Sequence, residues 1–257
     1  MEKITSRQNP LCTHLRKLAS SASYRRQRGE FLCDSPKLLK EALLWGAEVR
    51  TVVATAGVDL PELPLGVRQV EVPADVMKSV SPMETPQGTL FICAIHTEPL
   101  PEMLTGRRYV VLDTLQDPGN VGTLLRSAAA FGFDGVILSD GCASVYAPKT
   151  LRASMGAAVR IPVIEAGAMP DAITQLRAKG ITCLAAALYK SQPLSAAQAS
   201  YPGGVCVVIG SEGQGLTDET IAACSSTVRI PMTDRVESLN AGIAGSILLW
   251  HFREESL

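Results

Sequence analysis

The 257-residue sequence lacks the features that mark membrane and secreted proteins. It has no run of about 18 apolar residues, because Asn240 and Ser246 interrupt the most apolar stretch, residues 239–250. The N-terminal residues lack the apolar centre of a secretory signal peptide. We therefore expect a cytoplasmic protein that does not enter a membrane.

Cysteine and histidine are few and scattered. The seven cysteines never occur as CxxC, which predicts reduced thiols and no metal site. Cys93, Cys183 and Cys206 lie inside apolar runs, where a cysteine usually behaves as a small buried apolar residue. None of the three histidines stands beside a serine or cysteine in a nucleophile motif, which disfavours a hydrolase, although triad residues need not be neighbours in sequence.

Charge is almost balanced at −1, but it is unevenly distributed. The first 50 residues hold ten Lys or Arg against five Asp or Glu. We name as the basic arm Arg7, Arg16, Lys17, Arg25, Arg26 and Arg28. Such a cluster can neutralise nucleic-acid phosphates, or it can be an ordinary solvated helix face.

The pattern of apolar residues predicts two domains, 1–105 and 106–257. In the first, leucines at helical spacing follow Pro10, and Ser35 with Pro36 predicts the start of a helix that ends near Gly46. Strands are predicted at 49–54, 68–72 and 88–94. These elements indicate a small α/β domain, followed by a linker over 95–108 that is rich in Pro and Gly.

In the second domain, apolar strand candidates alternate with helical segments. The predicted strands are 109–112, 136–139, 161–164, 181–187, 205–209 and 227–230. Buried runs separated by helices indicate a mainly parallel sheet covered on both faces. Such sheets bind ligands beyond the carboxyl ends of their strands.

A glycine cluster, SEGQGL, follows the predicted strand 205–209 directly. Its order is GxxGxG, whereas the dinucleotide fingerprint is GxGxxG, and Glu212 would repel a pyrophosphate. A nicotinamide-dependent oxidoreductase is therefore disfavoured, and a cationic ligand such as a sulfonium or ammonium is favoured. A structural turn with a capping glutamate accounts for the cluster equally well.

The segment IPMTDRVESLN leads into a helix that we predict to begin at Glu237. Ser238 or Asn240 could simply cap this helix. Its first turns are rich in Ala and Gly, which permits close approach of another element or of another chain.

Three segments of the second domain follow one another along the chain: LQDPGNVGTLLRSAAAFG, VVIGSEGQGL and IPMTDRVESLNAGIAGSILL. They resemble the three signature motifs of the SpoU/TrmH family of RNA ribose 2'-O-methyltransferases, within the SPOUT superfamily. The resemblance covers residues 107–254, and APKTLRASMGA also resembles the family's segment between the first two motifs. ITSRQNPL and TPQGTL more loosely resemble the substrate-binding domain of larger members, from which FLCDSPKLL departs.

The resemblance implies an α/β fold whose C-terminal domain is an α/β knot, a trefoil-knotted, mainly parallel sheet, preceded by a small α/β substrate-binding domain. It also implies S-adenosylmethionine as cofactor, a homodimer, and RNA as substrate. Ribosomal RNA of the 23S type is preferred over transfer RNA by analogy. A catalytically silent RNA-binding member of the fold is the alternative from another functional class.

Roles carry over by position. The resemblance assigns cofactor contacts to Leu188, Gly210, Glu212, Gly215, Ile230, Met232, Ser238 and Leu239. It assigns catalytic roles to Asn120, Arg126, Glu212, Ser238 and Asn240. The predicted RNA contacts are Arg126, Lys149 and Arg152, with Arg7, Arg16, Arg25 and Arg26 of the basic arm. Because a guanidinium stays protonated, we expect Arg126 to grip the substrate phosphate and stabilise the forming alkoxide rather than act as a base.

Overall fold

The computed structural model describes residues 1–96, 100, 104–188, 190–197 and 201–254. Contacts divide the chain into two units. The first is Met1–His96 with Tyr146–Arg160, and the second is Thr97–Val145 with Ile161–Leu257. The segment APKTLRASMGA thus folds with the N-terminal unit. Residues 97–99 and 101–103 of the predicted linker lie outside the described residues.

The N-terminal unit contains a five-stranded sheet in the order β1-β4-β3-β5-β2. Its strands are β1 Glu2–Lys3, β2 Glu30–Asp34, β3 Val49–Ala54, β4 Arg68–Glu71 and β5 Thr89–Ala94. β5 pairs antiparallel with β2 and β3, whereas β4 pairs parallel with β1 and β3. The three strands predicted here are confirmed, and the sequence analysis missed β1 and β2.

Five helices belong to this unit. They are α1 Pro10–Ser20, α2 Ala22–Arg28, α3 Pro36–Leu44, α4 Ala74–Val80 and, from later in the chain, α6 Pro148–Ser154. Leu11, Leu15 and Leu18 of α1 are buried in the core, as their spacing predicts. α3 begins where the sequence indicates, because the Ser35 hydroxyl accepts a hydrogen bond from the Leu38 N–H at 3.2 Å.

The second unit is built on a seven-stranded sheet in the order β10-β12-β9-β11-β6-β7-β8, in which every pairing is parallel. Its strands are β6 Arg108–Leu112, β7 Gly135–Leu138, β8 Val163–Glu165, β9 Thr182–Ala186, β10 Gln192–Pro193, β11 Val205–Ile209 and β12 Ser226–Arg229. The central strands β6, β7 and β11 are almost entirely buried, which confirms a parallel sheet covered on both faces. The six predicted strands are present, and β10 is the one described strand of this unit that was not predicted.

The α-helices described in this unit are α5 Pro118–Ala130, α7 Met169–Ala178, α8 Asp218–Ala223 and α9 Ala241–His251. α9 packs closely against α5 because its glycines face inward. A Cβ on Gly245 would lie 2.4 Å from Leu124 Cδ2 and 2.6 Å from Ile209 Cδ1. The Ser127 and Ser246 hydroxyls add a 2.8 Å hydrogen bond between the two helices. The sequence left open whether the glycines of this helix approach another element of the same chain or another chain. The structure shows that they pack against α5 of the same chain.

The start of α9 corrects a prediction. The helix begins at Ala241 rather than at Glu237, because the Asn240 side chain accepts a hydrogen bond from the Ile243 N–H at 3.1 Å. Asn240 is therefore the N-cap, and Ser238 and Leu239 precede the helix.

The burial of the cysteines agrees with the prediction that they behave as small apolar residues. All seven are free thiols, and six of them are buried. Burial, followed by the neighbouring Cys183 thiol, raises the pKa of Cys206 well above its ordinary value. Such thiols contribute to packing rather than to chemistry.

Candidate active site

Four neighbouring strands end at the candidate site. β12, β9, β11 and β6 lie side by side and parallel, so their carboxyl ends meet at one edge of the sheet. Leu188 follows β9, Gly210 follows β11 and Ile230 follows β12, while the first motif follows β6. The fold thus brings together segments separated by about a hundred residues, at the edge where open α/β sheets bind ligands.

The first motif forms a capped helix start. The Asp117 carboxylate accepts a hydrogen bond from the Asn120 N–H at 2.8 Å, and Pro118 occupies the first turn of α5. The Asn120 side chain is thereby held at the edge of the sheet, and only 8% of the residue is exposed.

Glu212 of the glycine cluster joins the second motif to the first. Its Oε1 accepts hydrogen bonds from Asn120 Nδ2 at 2.9 Å and from the Asp117 N–H at 3.2 Å, and Oε2 accepts one from the Gln116 N–H at 3.4 Å. Partial burial by itself acts to raise the pKa of Glu212, but the hydrogen bonds from Asn120 and the backbone outweigh it and lower that pKa. Glu212 is therefore ionised at neutral pH.

The glycine cluster is a tight turn. Ser211 and Gly215 exchange backbone hydrogen bonds of 3.1 and 3.0 Å, and Gly215 has φ +69°. A Cβ on Gly210 would lie 2.3 Å from the Gly215 carbonyl carbon, so only glycine fits there. The predicted structural turn is therefore present. Its glutamate does not cap a helix, because Glu212 binds the first motif and Thr217 caps α8.

The third motif reaches the same cluster through α9. A Cβ on Gly242 would lie 3.0 Å from Asn120 Oδ1 and 3.2 Å from Asn240 Oδ1. Asn120 therefore contacts the second motif through its amide nitrogen and lies against the third through its oxygen. This one buried amide is the point at which the three motifs meet.

The other predicted residues make no hydrogen bond to Asn120 within the part of the chain that the structure describes. Arg126 is on the exposed face of α5, and its guanidinium makes no hydrogen bond or ion pair with any described residue. Ser238 is exposed, whereas Ile230, Met232 and Leu239 are half-buried. Leu188 is 43% exposed, unusually open for a leucine at a sheet edge.

The basic arm is less open than its charge indicates. Arg25 is only 4% exposed and donates a 2.8 Å hydrogen bond to the Leu18 carbonyl. Burial, followed by repulsion from Arg26, lowers the pKa of Arg25. The structure places Arg25 inside the unit, so it is not positioned to contact a phosphate.

The rest of the arm is partly engaged. Arg7 forms a 2.8 Å ion pair with Asp75, and Arg16 donates to the Ser79 carbonyl at 3.1 Å. Arg26 lies in the last turn of α2. Lys149 and Arg152 are exposed on α6, where Arg152 lies 3.9 Å from Asp34.

A buried carboxylate beside the site was not predicted from the sequence. Asp113 directly follows β6, is 6% exposed, and accepts a 3.0 Å hydrogen bond from the Thr220 hydroxyl of α8. An acidic residue at the end of an apolar run was the available signal. This bond fixes α8, and with it the turn that carries Glu212, to the end of β6.

Comparison with known proteins gives two family matches. Residues 107–250 match the SpoU rRNA Methylase family, and residues 1–90 match the MRM3-like substrate binding domain. The chain belongs to the SpoU rRNA methylase family. It is therefore an S-adenosylmethionine-dependent RNA methyltransferase, as the three motifs predict.

Similar proteins of this SpoU family match nearly the whole chain. The 23S rRNA (guanosine(2553)-2'-O)-methyltransferase RlmP of Bacillus subtilis is 30% identical over 98% of this chain and 100% of its own length. The mitochondrial rRNA methyltransferase 3 of Homo sapiens is 29% identical over 93% of this chain and 70% of its own length. The AdoMet-bound rRNA methyltransferase from Sinorhizobium meliloti superposes with a TM-score of 0.87, at 29% identity, over 98% of this chain and 97% of that one.

The SpoU fold prediction is confirmed. The C-terminal unit is an α/β knot of the SPOUT type, preceded by a small α/β substrate-binding domain. At 22% identity, the SpoU methyltransferase AviRb from Streptomyces viridochromogenes shares this fold with a TM-score of 0.82.

The SpoU site fits a sulfonium cofactor. Glu212 supplies an ionised carboxylate, which suits a positively charged ligand. A Cβ at Gly213 or Gly215 would meet nothing within 4 Å, so the turn offers bare backbone beside open space. The exposed Leu188 offers apolar surface at the same sheet edge. Within the described residues, no group of three or more His, Cys, Asp or Glu could hold a metal ion.

Proposed function

We propose that this SpoU enzyme transfers a methyl group from S-adenosylmethionine to a ribose 2'-hydroxyl of 23S-type ribosomal RNA. The observation that carries the proposal is the convergence of three motifs on Asn120. The full-length similarity to RlmP, which its name describes as a 23S rRNA 2'-O-methyltransferase, supports the choice of ribosomal RNA. The same reaction on transfer RNA is the alternative.

The cofactor would be held by main chain and apolar side chains at the four strand ends. The residues that we assign to this role are Leu188, Gly210, Gly215, Ile230, Met232 and Leu239. Glu212 shapes the pocket by fixing the first motif against the glycine turn. When bound, S-adenosylmethionine supplies an electrophilic methyl group on a sulfonium.

The residues that we assign to binding the phosphate and ribose of the substrate are Arg126, Ser238 and Asn240. Arg126 has an exposed guanidinium without a described partner, so it can grip a phosphate with two parallel hydrogen bonds. The same positive charge stabilises the 2'-oxygen as it loses its proton. Asn240 caps α9 through its carbonyl oxygen, which leaves its amide N–H groups to orient the ribose, together with the exposed Ser238 hydroxyl.

We further propose a homodimer formed through α9. Ile243, Ile247 and Trp250 recur at helical spacing on the face of α9 that the glycines leave free, and they are 54%, 37% and 54% exposed. An exposed apolar stripe of this kind is typical of an interface rather than of a monomer surface. A second copy of this chain is the occupant that we propose.

A cytoplasmic location accords with a ribosomal substrate. No helix within the described residues is long and apolar enough to cross a membrane.

The direct test measures methyl transfer to 23S and transfer RNA transcripts, with mapping of 2'-O-methylated positions in cells that lack the protein. We expect transfer to 23S RNA and loss of one ribose methylation in the deleted strain. Calorimetry with S-adenosylmethionine separates an active enzyme from a silent RNA-binding member, which would not bind the cofactor. Methylation of transfer RNA alone would refute the choice of RNA.

The Arg126→Lys variant tests the role of the guanidinium. Lysine keeps the charge but loses the planar fork, so we expect unchanged cofactor affinity and a loss of turnover of about a hundredfold or more. Methylation near the wild-type rate would contradict the assigned role. An Arg68→Lys variant, which changes an exposed arginine paired with Glu2 in the N-terminal unit, serves as the matched control.

A further inference from the structure

Trp45 in the N-terminal unit is exposed in an unusual way. It caps the C-terminal end of α3, and 56% of the residue is accessible, next to Leu44 at 80%. The chain has only two tryptophans, and tryptophan is enriched at surfaces where a protein contacts a partner.

A guanidinium lies beside this ring. The Arg160 Cζ is 5.9 Å from the centroid of the Trp45 ring, within the range of a cation–π contact. Arg160 also donates a hydrogen bond to the Glu41 carboxylate, one helical turn before Trp45 on α3. Glu41 therefore holds the guanidinium close to the ring.

A turn at Gly156 brings the segment that carries Arg160 against α3, which carries Glu41. Arg160 follows a turn in which Gly156 has φ +87°. A Cβ on Gly156 would lie 2.6 Å from Glu41 Oε2 and 3.2 Å from Leu38 Cδ1, so the turn packs directly on α3. Met155, just before it, has a left-handed φ of +50° and is 57% exposed. Met155 is the left-handed C-cap of α6, so this conformation ends the helix just before the turn.

The charge of the same segment favours a nucleic acid over a protein. Residues 146–160 contain Lys149, Arg152 and Arg160 and no carboxylate. All three side chains are exposed. A cationic segment next to an open aromatic ring is the combination that binds unpaired nucleotides, with the cations on the phosphates and the ring on a base.

We propose that Trp45 and Arg160 form a stacking platform for an unpaired base of the RNA substrate. This Trp45 platform rests on the proposed function and adds to it that the substrate presents an unstacked base to the N-terminal unit. Single-stranded RNA should bind the platform better than duplex RNA, because paired bases cannot reach the ring.

The test uses the full-length protein and two probes, a short single-stranded oligoadenylate and an RNA duplex of the same length, at one fixed salt concentration. We expect Trp45→Ala to weaken oligoadenylate binding about tenfold, the loss of roughly one stacked base. Trp45→Phe should retain most of the affinity, and duplex binding should change little. Leu65→Ala, which removes a fully exposed apolar side chain of the same unit, is the matched control.

Tryptophan fluorescence gives an independent readout. In a Trp250→Phe background, Trp45 is the only tryptophan, so oligoadenylate should quench its emission if a base stacks on the ring. Arg160→Ala should reduce this quenching. No quenching, or equal affinities for Trp45→Ala and Leu65→Ala, would overturn the proposal, as would a change in oligomeric state with RNA affinity unchanged.

The outcomes also separate the platform from the proposed function. If the wild-type protein methylates ribosomal RNA and Trp45→Ala binds RNA normally, the platform fails and the function stands. If oligoadenylate quenches Trp45 but no ribosomal RNA is methylated, the function fails and the platform stands.

Discussion

Replacement of Glu212 by glutamine probes the link between the first two motifs. The substitution keeps the size of the side chain but removes the charge that Asn120 and two backbone N–H groups bind. A glutamine can still accept at the Oε1 position, where the two shorter bonds lie, but its NH₂ group would face the Gln116 N–H as a second donor.

The expected magnitude follows from these bonds. A hydrogen bond to a charged group contributes about 1.5–3 kcal/mol, against about 0.5–1.5 kcal/mol for a neutral pair. Because Glu212 is exposed to solvent, we take the lower end and expect a loss of about 1–2 kcal/mol in the free energy of unfolding. If the cofactor-bound state loses about 1–2 kcal/mol more than the free folded protein does, the Kd for S-adenosylmethionine rises roughly tenfold.

The effect should depend on pH in a defined direction. Hydrogen bonding lowers the pKa of Glu212 in the folded protein, so folding favours the ionised form. Its contribution is complete above the ordinary carboxyl pKa of 4.5 and is lost as the pH falls through the lowered value. The stability difference between wild type and Glu212→Gln should therefore be largest at neutral pH and shrink in acid.

The assays are isothermal calorimetry with S-adenosylmethionine and thermal unfolding over a pH series. Glu219→Gln, which neutralises an exposed carboxylate in the first turn of α8, is the control and should change stability by only a few tenths of a kcal/mol. The reasoning is refuted if Glu212→Gln matches Glu219→Gln in both cofactor affinity and pH profile.

Two further predictions concern α9. Gly245→Ala should lower the free energy of unfolding by about 1–3 kcal/mol, because the added methyl group overlaps Leu124 and the helix must shift. Gly167→Ala, where a Cβ meets nothing within 4 Å, should leave the melting temperature nearly unchanged, and equal melting temperatures for both variants would contradict the packing argument. Ile243→Glu should dissociate the proposed homodimer in sedimentation experiments without unfolding the chain, whereas Leu65→Glu on the other unit should not. A monomeric wild-type protein would refute this interface.

Sequence reasoning succeeded where a local pattern decides the structure. The strand Val205–Ile209 was predicted to the residue, because a fully buried parallel strand is a continuous apolar run. The helix start at Ser35 was also predicted, since capping depends on residues close in sequence.

Features that depend on residues far apart in the sequence were not predicted. The two-residue strands Glu2–Lys3 and Gln192–Pro193 exist only because a neighbouring strand pairs with them. The position of Arg25 is similar, since a count of charges cannot show that a guanidinium bonds to a carbonyl inside the unit. The bond between Asn120 and Glu212 spans 92 positions of sequence, and only the resemblance to a known family placed these residues in one site.

The position of Asn120 has a consequence for synthesis on the ribosome. Its amide nitrogen can reach Glu212 once β11 and the turn after it are made, but its oxygen lies against Gly242 at the start of the last described helix. A nascent chain therefore completes the three-motif cluster only after the start of α9 has emerged. The cofactor site would therefore form only after all three motifs have been synthesised, because Asn120 contacts both later motifs.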